Sequence, residues 1–300
     1  HLLGNHLLEN SFSLLFGAYY FQDEKLYSTS KKILKKQLNE QILEDGGHFE
    51  LSPMYHQIIL FRLLDSIQLI KLNSWKKDDL FIFLEEKAFQ MLSWLNKVTF
   101  KNGDIPMVND SSHGIAPSTN ELIVYGKELG IQLGNIDLDE SGYRMFKKNR
   151  FELFVDVGNV GPTYQPGHVH SDTFNFILYI NENPIFVDTG VSTYEKNELR
   201  QKERSTSSHN TVQIEDVEQT QVWGGFRVAK RAEVIELKED NYLQATHNGY
   251  KSLGIEHTRM FKIDGDVIRI EDEITKGNAY KQVAYFHLHP TIENVSIQNS

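Results

Sequence analysis

The stretch GPTYQPGHVHSDTFNF, from Gly161 to Phe176, places His168, His170 and Asp172 at every second position. Alternate residues of an extended strand share a face. On that geometry, three side chains able to bind a metal or move protons point the same way. Pro166 and Gly167 mark a turn, and the segment after it is expected to be a strand that carries this ladder. Two other segments hold the same chemistry. IFVDTG sets Asp188 at the end of an expected strand, directly before a turn, and STSSHNTV sets His209 at the start of another. Imidazole nitrogens with a carboxylate oxygen make a borderline N/O donor set suited to zinc. These residues lie on separate strands, so only a fold can bring them together. Taken singly, each histidine reads equally well as a partly buried residue with a hydrogen-bond partner.

The rest of the composition narrows the function. The net charge is −10, which counts against nucleic-acid binding, since that needs a basic surface. An acidic ligand then needs a local basic cleft. Basic residues do concentrate near the motifs above: Arg200, Lys202 and Arg204 in ELRQKERS, Arg227, Lys230 and Arg231 in GGFRVAKRA, and Lys147, Lys148 and Arg150 in FKKNR. With no cysteine in the chain, disulfides and thiolate metal sites are excluded. No apolar run is long enough to span a bilayer.

The elements that must position these residues change character near residue 140. Before it the pattern is helical. NHLLENSFSLLFGAYYF is apolar on nearly every face and predicts a buried helix. KLYSTSKKILKKQLNEQIL is amphipathic, with Leu34, Leu38 and Ile42 spaced by four, and EDGG ends it. YHQIILFRLLDSIQLI, with Pro53 near its start, KKDDLFIFLEEKAFQMLSWLNKV and STNELIVYGKEL predict three more helices. After about Ser141 the period becomes two. RFELFVDV, FNFILYI, PIFVDTG, NTVQIED, RAEVIELKE, YLQATHNG, HTRMFKID and VIRIEDEI predict strands of an antiparallel sandwich. The division expected is a helical domain over 1–140 and a sheet domain over 141–300, an α+β architecture. The opening HLLGNHLLEN reads as the interior of a helical region and the last residues as another strand, so the chain is expected to be part of a longer protein.

GPTYQPGHVHSDTFNFILYINENPIFVDTGVSTYE, followed by RSTSSHNTVQIEDVEQTQVWGGFRVAKRA, resembles the heparinase II/III-like family of polysaccharide lyases. Upstream, NHLLEN and DGGHFELSPMYHQ resemble the helical half of the same enzymes, nearest the heparinase III group. The resemblance runs in order over most of residues 1–230. It implies an incomplete (α/α) toroid followed by an antiparallel β-sandwich, in agreement with the two periodicities. It also implies an acidic polysaccharide as partner and a periplasmic or secreted location.

A lyase of this kind breaks a uronic-acid chain by β-elimination. A base removes the proton on C5, and an acid protonates the oxygen leaving C4. The C5 proton is weakly acidic while the adjacent carboxylate keeps its charge, so the site must neutralise that carboxylate and supply a base and an acid. The resemblance places the neutralising amide at Asn5, the catalytic tyrosine at Tyr55 and the active-site histidine at His168. An amide suits the first role, because it donates to a carboxylate without competing as a base. His6 adjoins Asn5, about 100° away around a helix, and is a second contact. The resemblance assigns zinc to His170, Asp188 and His209, with the ion bracing the sheet rather than the substrate. Arg204 and Arg227 are the expected cleft cations, and Tyr194 and Trp223 the expected stacking surfaces for sugar rings.

Two other readings remain open from the sequence. One is a non-catalytic glycan-binding or surface-polysaccharide assembly protein on the same scaffold. The other is a zinc hydrolase with water in an open metal position, although no general-base Glu stands beside the motifs. The helical half, at four or five helices, is short for a full toroid, and the polymer cleaved is not named by these residues.

Overall fold

Five helices come first, and their starts are written in the side chains. Helices α1 (Asn5–Phe21), α2 (Glu24–Gln41), α3 (Pro53–Leu72), α4 (Asp79–Val98) and α5 (Thr119–Glu128) follow in chain order in a computed structural model that describes residues 4–296. Asp23 caps α2 by accepting from the backbone of Lys25 and Leu26. Ser52 caps α3 with Pro53 in the first turn, where a missing N–H costs nothing. Ser118 and Glu121 form a reciprocal capping box on α5. Helix α1 packs on α2 and α3, α3 on α4 and α5, and α2 on α4. The result is one helical unit with a shared core. Leu8, Phe12, Leu34, Leu60, Leu63, Leu84, Leu92 and Trp94 fill its core.

The sandwich is two four-stranded antiparallel sheets. One runs β1 (Tyr143–Lys147), β2 (Phe151–Asp156), β3 (Phe176–Ile180) and β4 (Asn183–Phe186). The other runs β11 (Val267–Ile274), β10 (His257–Asp264), β9 (Leu243–His247) and β8 (Val234–Glu239). Two small ribbons complete it: β5 (Val212–Ile214) with β12 (Gln282–Ala284), and β6 (Gln221–Trp223) with β7 (Arg227–Ala229). A short helix, α6 (Glu198–Glu203), precedes His209.

Strand β2 shows how the halves are joined. Its odd-numbered residues, Phe151, Leu153 and Val155, pack between the sheets against Leu243, Ala245 and Phe261. Phe154, on the other face, joins Tyr143, Ile177 and Tyr179 in the core of the helices. The strand is therefore buried along its whole length. The seam is polar as well: Asp45 accepts from the backbone of Asp139 and from both the backbone and hydroxyl of Ser141.

The expected ladder strand does not form. Residues 157–175 are irregular, and the backbone partners of 168–171 lie outside any sheet. Asp110 N donates to the His168 carbonyl, His170 N to Asn109 Oδ1, and Ser171 N to the Arg204 carbonyl. Left-handed backbone at Gln165 (φ 53°) and Phe174 (φ 68°) breaks the extension on both sides. His168, His170 and Asp172 therefore do not share one face, because period-two alternation belongs to paired, extended backbone. They are brought close by a folded loop instead.

Candidate active site

Three loops meet where the helices abut the sandwich. The first enters α3. Ser52 Oγ accepts from Tyr55 N and donates to the Asp110 carbonyl at 2.8 Å, so the helix cap also ties down the second loop. That second loop, 109–111, holds Asn109 in left-handed backbone (φ 53°), with its amide donating to the Leu51 carbonyl. The third is the histidine loop itself. Gly190, at φ 57°, lets a fourth segment pass close: a Cβ there would stand 2.3 Å from the Ser111 carbonyl oxygen.

Asp110 is the hub. It is fully buried. His168 Nδ1 lies 2.7 Å from one carboxylate oxygen and His170 Nε2 2.9 Å from the other. Arg200, equally buried, donates to both oxygens. Burial by itself raises this carboxyl, but the hydrogen bonds from His168, His170 and Arg200 outweigh it and hold it well below the usual range. An ionised Asp110 requires N–H at His168 Nδ1 and at His170 Nε2. Burial lowers His170 below its ordinary value, so the second nitrogen of that ring carries a lone pair.

His168 packs against Tyr55. Its ring lies 4.4 Å from the Tyr55 ring, centroid to centroid. The Tyr55 hydroxyl is 3.0 Å from that of Tyr194. Burial raises the Tyr55 phenol above its ordinary value, with Tyr194 lowering it and Asp110 and Glu50 adding to the rise. Tyr194 is 41% exposed at the rim, stacked 6.1 Å from Phe226, and the Arg200 guanidinium lies near both rings. Asn5 opens α1 on the helical side and donates to Glu50 at 3.2 Å.

At His170 the second nitrogen points elsewhere. One donor atom from each of His170, Asp188 and His209 lies within 4.8 Å of the others, all buried. His170 Nδ1 and His209 Nε2 have no hydrogen-bond partner. His209 Nδ1 is held by Asp188 Oδ2 at 2.7 Å, and Asn175 donates to the same oxygen. Asp156 and Asp172 are buried beside them, and burial pushes both carboxyls up. Two orphaned imidazole nitrogens amid three buried carboxyls fit a divalent N/O-liganded ion such as zinc.

The family description "Heparinase II/III-like, C-terminal" matches residues 132–300, and "Heparinase II/III N-terminus" matches 2–123. The chain belongs to the heparinase II/III-like family. A heparin-sulfate lyase of Bacteroides stercoris is 24% identical over 99% of this chain and 47% of its own length. A second, from Bacteroides thetaiotaomicron, is 27% identical over 64% of this chain and 33% of its own. Among solved structures, a heparinase III gene product superposes with TM-score 0.71 at 20% identity, covering 91% of this chain and 46% of that one. The heparan sulfate lyase HepC of Pedobacter heparinus superposes at 0.64 and 20%, covering 87% and 44%. These structures share the toroid-and-sandwich fold. The chain spans about half or less of the length of these relatives.

The residues singled out in the sequence fall into two groups. Tyr55, His168 and Tyr194 come together, Asn5 is tied to Glu50, and His170, Asp188 and His209 converge at a second point. Of the other four, three are exposed and one, Arg204, is corrected by its burial. His6 is exposed on α1 with no side-chain partner among the described residues, because the helix turns it away from Asn5. Arg204 is fully buried, and its Nε and Nη2 donate to the Val169 carbonyl. It braces the histidine loop and is closed to substrate. Trp223 and Arg227 face one another across the exposed β6–β7 ribbon. The residue this ribbon delivers to His168 is Phe226, 6.3 Å away ring to ring. Sequence reasoning missed Asp110, Glu50 and Phe226. Arg200 stood in a basic cluster, but nothing marked it as the counter-ion of Asp110. None of the four has a spacing signal; each is defined by a partner far away in the chain.

Proposed function

We propose that this chain is the catalytic junction of a polysaccharide lyase that cleaves uronic-acid-containing glycans by β-elimination. The observation that carries the reading is the Tyr55–His168 pair: a phenol and an imidazole whose ring centroids lie 4.4 Å apart, where the helices meet the sandwich. Junctions of this kind are common ligand sites. The names of the relatives point the same way.

In this reading the uronate lies over His168 and Tyr55, with its carboxylate toward Asn5, whose amide donates to it as the enolate develops. His168 Nε2, its other nitrogen held by Asp110, is placed to take or stabilise a proton at C5. Tyr55 keeps its proton in the resting site because burial raises it, which suits the acid that protonates the departing O4. Tyr194 holds the Tyr55 hydroxyl in place and offers its face, with Phe226, to a sugar ring. Zinc, held by His170, Asp188 and His209, would supply fixed positive charge beneath the histidine loop. Asp110 would then carry that rigidity to His168. The same reading puts the protein where such polymers are met, in the periplasm or outside the cell. No helix among the described residues is long and apolar enough to cross a membrane.

The test is a panel of uronate polymers (heparan sulfate, heparin, hyaluronan, chondroitin sulfate, alginate) followed by the ultraviolet absorbance of the unsaturated product. Absorbance with at least one polymer, appearing roughly 10²–10⁴-fold more slowly in Tyr55→Phe, is expected. Binding without absorbance for every polymer would replace the lyase by a glycan-binding protein.

A further inference from the structure

Glu50 is a carboxyl the mechanism above leaves unused. It lies in the turn between α2 and α3, five residues before Tyr55, and is 3% exposed. Carboxyls buried this deeply normally sit against a cation or several N–H donors. Among the described residues, the Glu50 side chain has one hydrogen-bond partner, Asn5 Nδ2 at 3.2 Å. An amide nitrogen carries two hydrogens, so one bond leaves the second free. Nothing else bonds the Asn5 side chain among the described residues, although Asn5 opens a helix and its amide would otherwise rotate.

We propose that Glu50 is a positioning residue for the uronate carboxylate: it holds the Asn5 amide by one N–H and leaves the other directed into the cleft. This rests on the lyase reading. A fixed anion behind Asn5 would repel the carboxylate that the amide is meant to receive. Burial opposes that charge. Burial pushes the Glu50 carboxyl up to about 7, His168 pulls it down and Asp110 pushes it up further. Tyr55 and Tyr164, the other titratable groups coupled to it, keep their protons in this range. Near neutral pH, Glu50 therefore holds its proton in a large share of molecules while its carbonyl oxygen still accepts from Asn5. Glu50 acts through Asn5 and needs no contact with the sugar.

Two measurements on the chain test this, one of them without any substrate. With asparagine side chains labelled by nitrogen-15, the Asn5 amide pair is identified by its loss in Asn5→Ala. In the parent it should shift with a midpoint near pH 7, and in Glu50→Gln that shift should vanish. Kinetics on whichever polymer the panel identifies should show Glu50→Ala lowering kcat by roughly 10²-fold, the usual scale for a misplaced group, with less effect on KM. Adding Asn5→Ala should then cost little more, because both changes remove one function. Melting temperatures of Glu50→Gln and Glu50→Ala separate this from unfolding. A parent that cleaves no polymer overturns the lyase reading, and the uronate role with it. An amide pair indifferent to Glu50→Gln, or single losses that multiply in the double variant, in a parent that does cleave, overturns the positioning role alone.

Discussion

Asp110→Asn is the perturbation with the largest expected effect on stability. The carboxylate and the Arg200 guanidinium are both fully buried and joined by two hydrogen bonds. The amide keeps the shape and one acceptor oxygen but deletes the charge. It strands Arg200 as a buried cation, and it sets an amide N–H against the ring N–H of His168 or His170. Breaking a buried ion pair from one side typically costs ~3–5 kcal/mol. For a domain of this size each kcal/mol lowers the melting temperature by roughly 2–4 °C, so a fall of roughly 6–20 °C is expected by calorimetry. The sharper arm is the double variant Asp110→Asn/Arg200→Met. Replacing both members of a buried pair is often close to neutral, so most of the lost stability should return. The Gly225 carbonyl, which accepts from Arg200 Nε at 3.1 Å, loses its donor and makes the recovery incomplete. A single variant melting within about 2 °C of the parent, or a double variant melting as low as the two singles added together, would refute the argument that Asp110 and Arg200 form one coupled, buried pair.

Further outcomes follow from the same geometry. Tyr55→Phe keeps the ring packing on His168 and removes only the hydroxyl, so turnover of the identified polymer should fall roughly 10²–10⁴-fold with the melting temperature unchanged; parental turnover would move the proton transfer to His168. Elemental analysis should find about one zinc per chain, released by chelator and by acid because the ligands must be deprotonated, and His170→Ala should lose it; a purified chain free of transition metal and indifferent to chelator would remove the metal from the site. In the sandwich, His247 Nε2 lies 3.0 Å from His257 Nδ1, and His257 Nε2 lies 2.7 Å from Asp272. Burial, with the charges of His257 and Arg259, pushes His247 well below its ordinary value. The folded state therefore resists a proton that the unfolded chain takes up near pH ~6.5. Stability from this group is full above that value and should decline as pH falls through it toward 5, more steeply in the parent than in His247→Gln; equal slopes would contradict it.

Much of this protein is legible along the chain. Local rules decide the helices: Asp23, Ser52 and Ser118 are capping residues at the positions where α2, α3 and α5 begin, and the apolar periods behind them need no distant partner. Strand β10 follows from alternation, because one buried face is enough to impose it, whereas β2 and β3, buried on both faces, read as short apolar runs. The motifs around Tyr55, His168, His170, Asp188 and His209 carry residue types whose chemistry can be named from the letters alone. What the letters do not hold is where side chains meet. His168, His170 and Asp172 have the spacing of a strand, yet Asn109, Asp110 and Arg204 supply the backbone partners that a neighbouring strand would have supplied, and the segment folds as a loop. Arg204 and Arg200 are alike in sequence, four residues apart in one basic run. Tertiary packing turns the first onto a backbone carbonyl and the second onto a carboxylate 90 residues away. A buried charge takes its meaning from its partner, and partners separated by that distance are chosen by the fold.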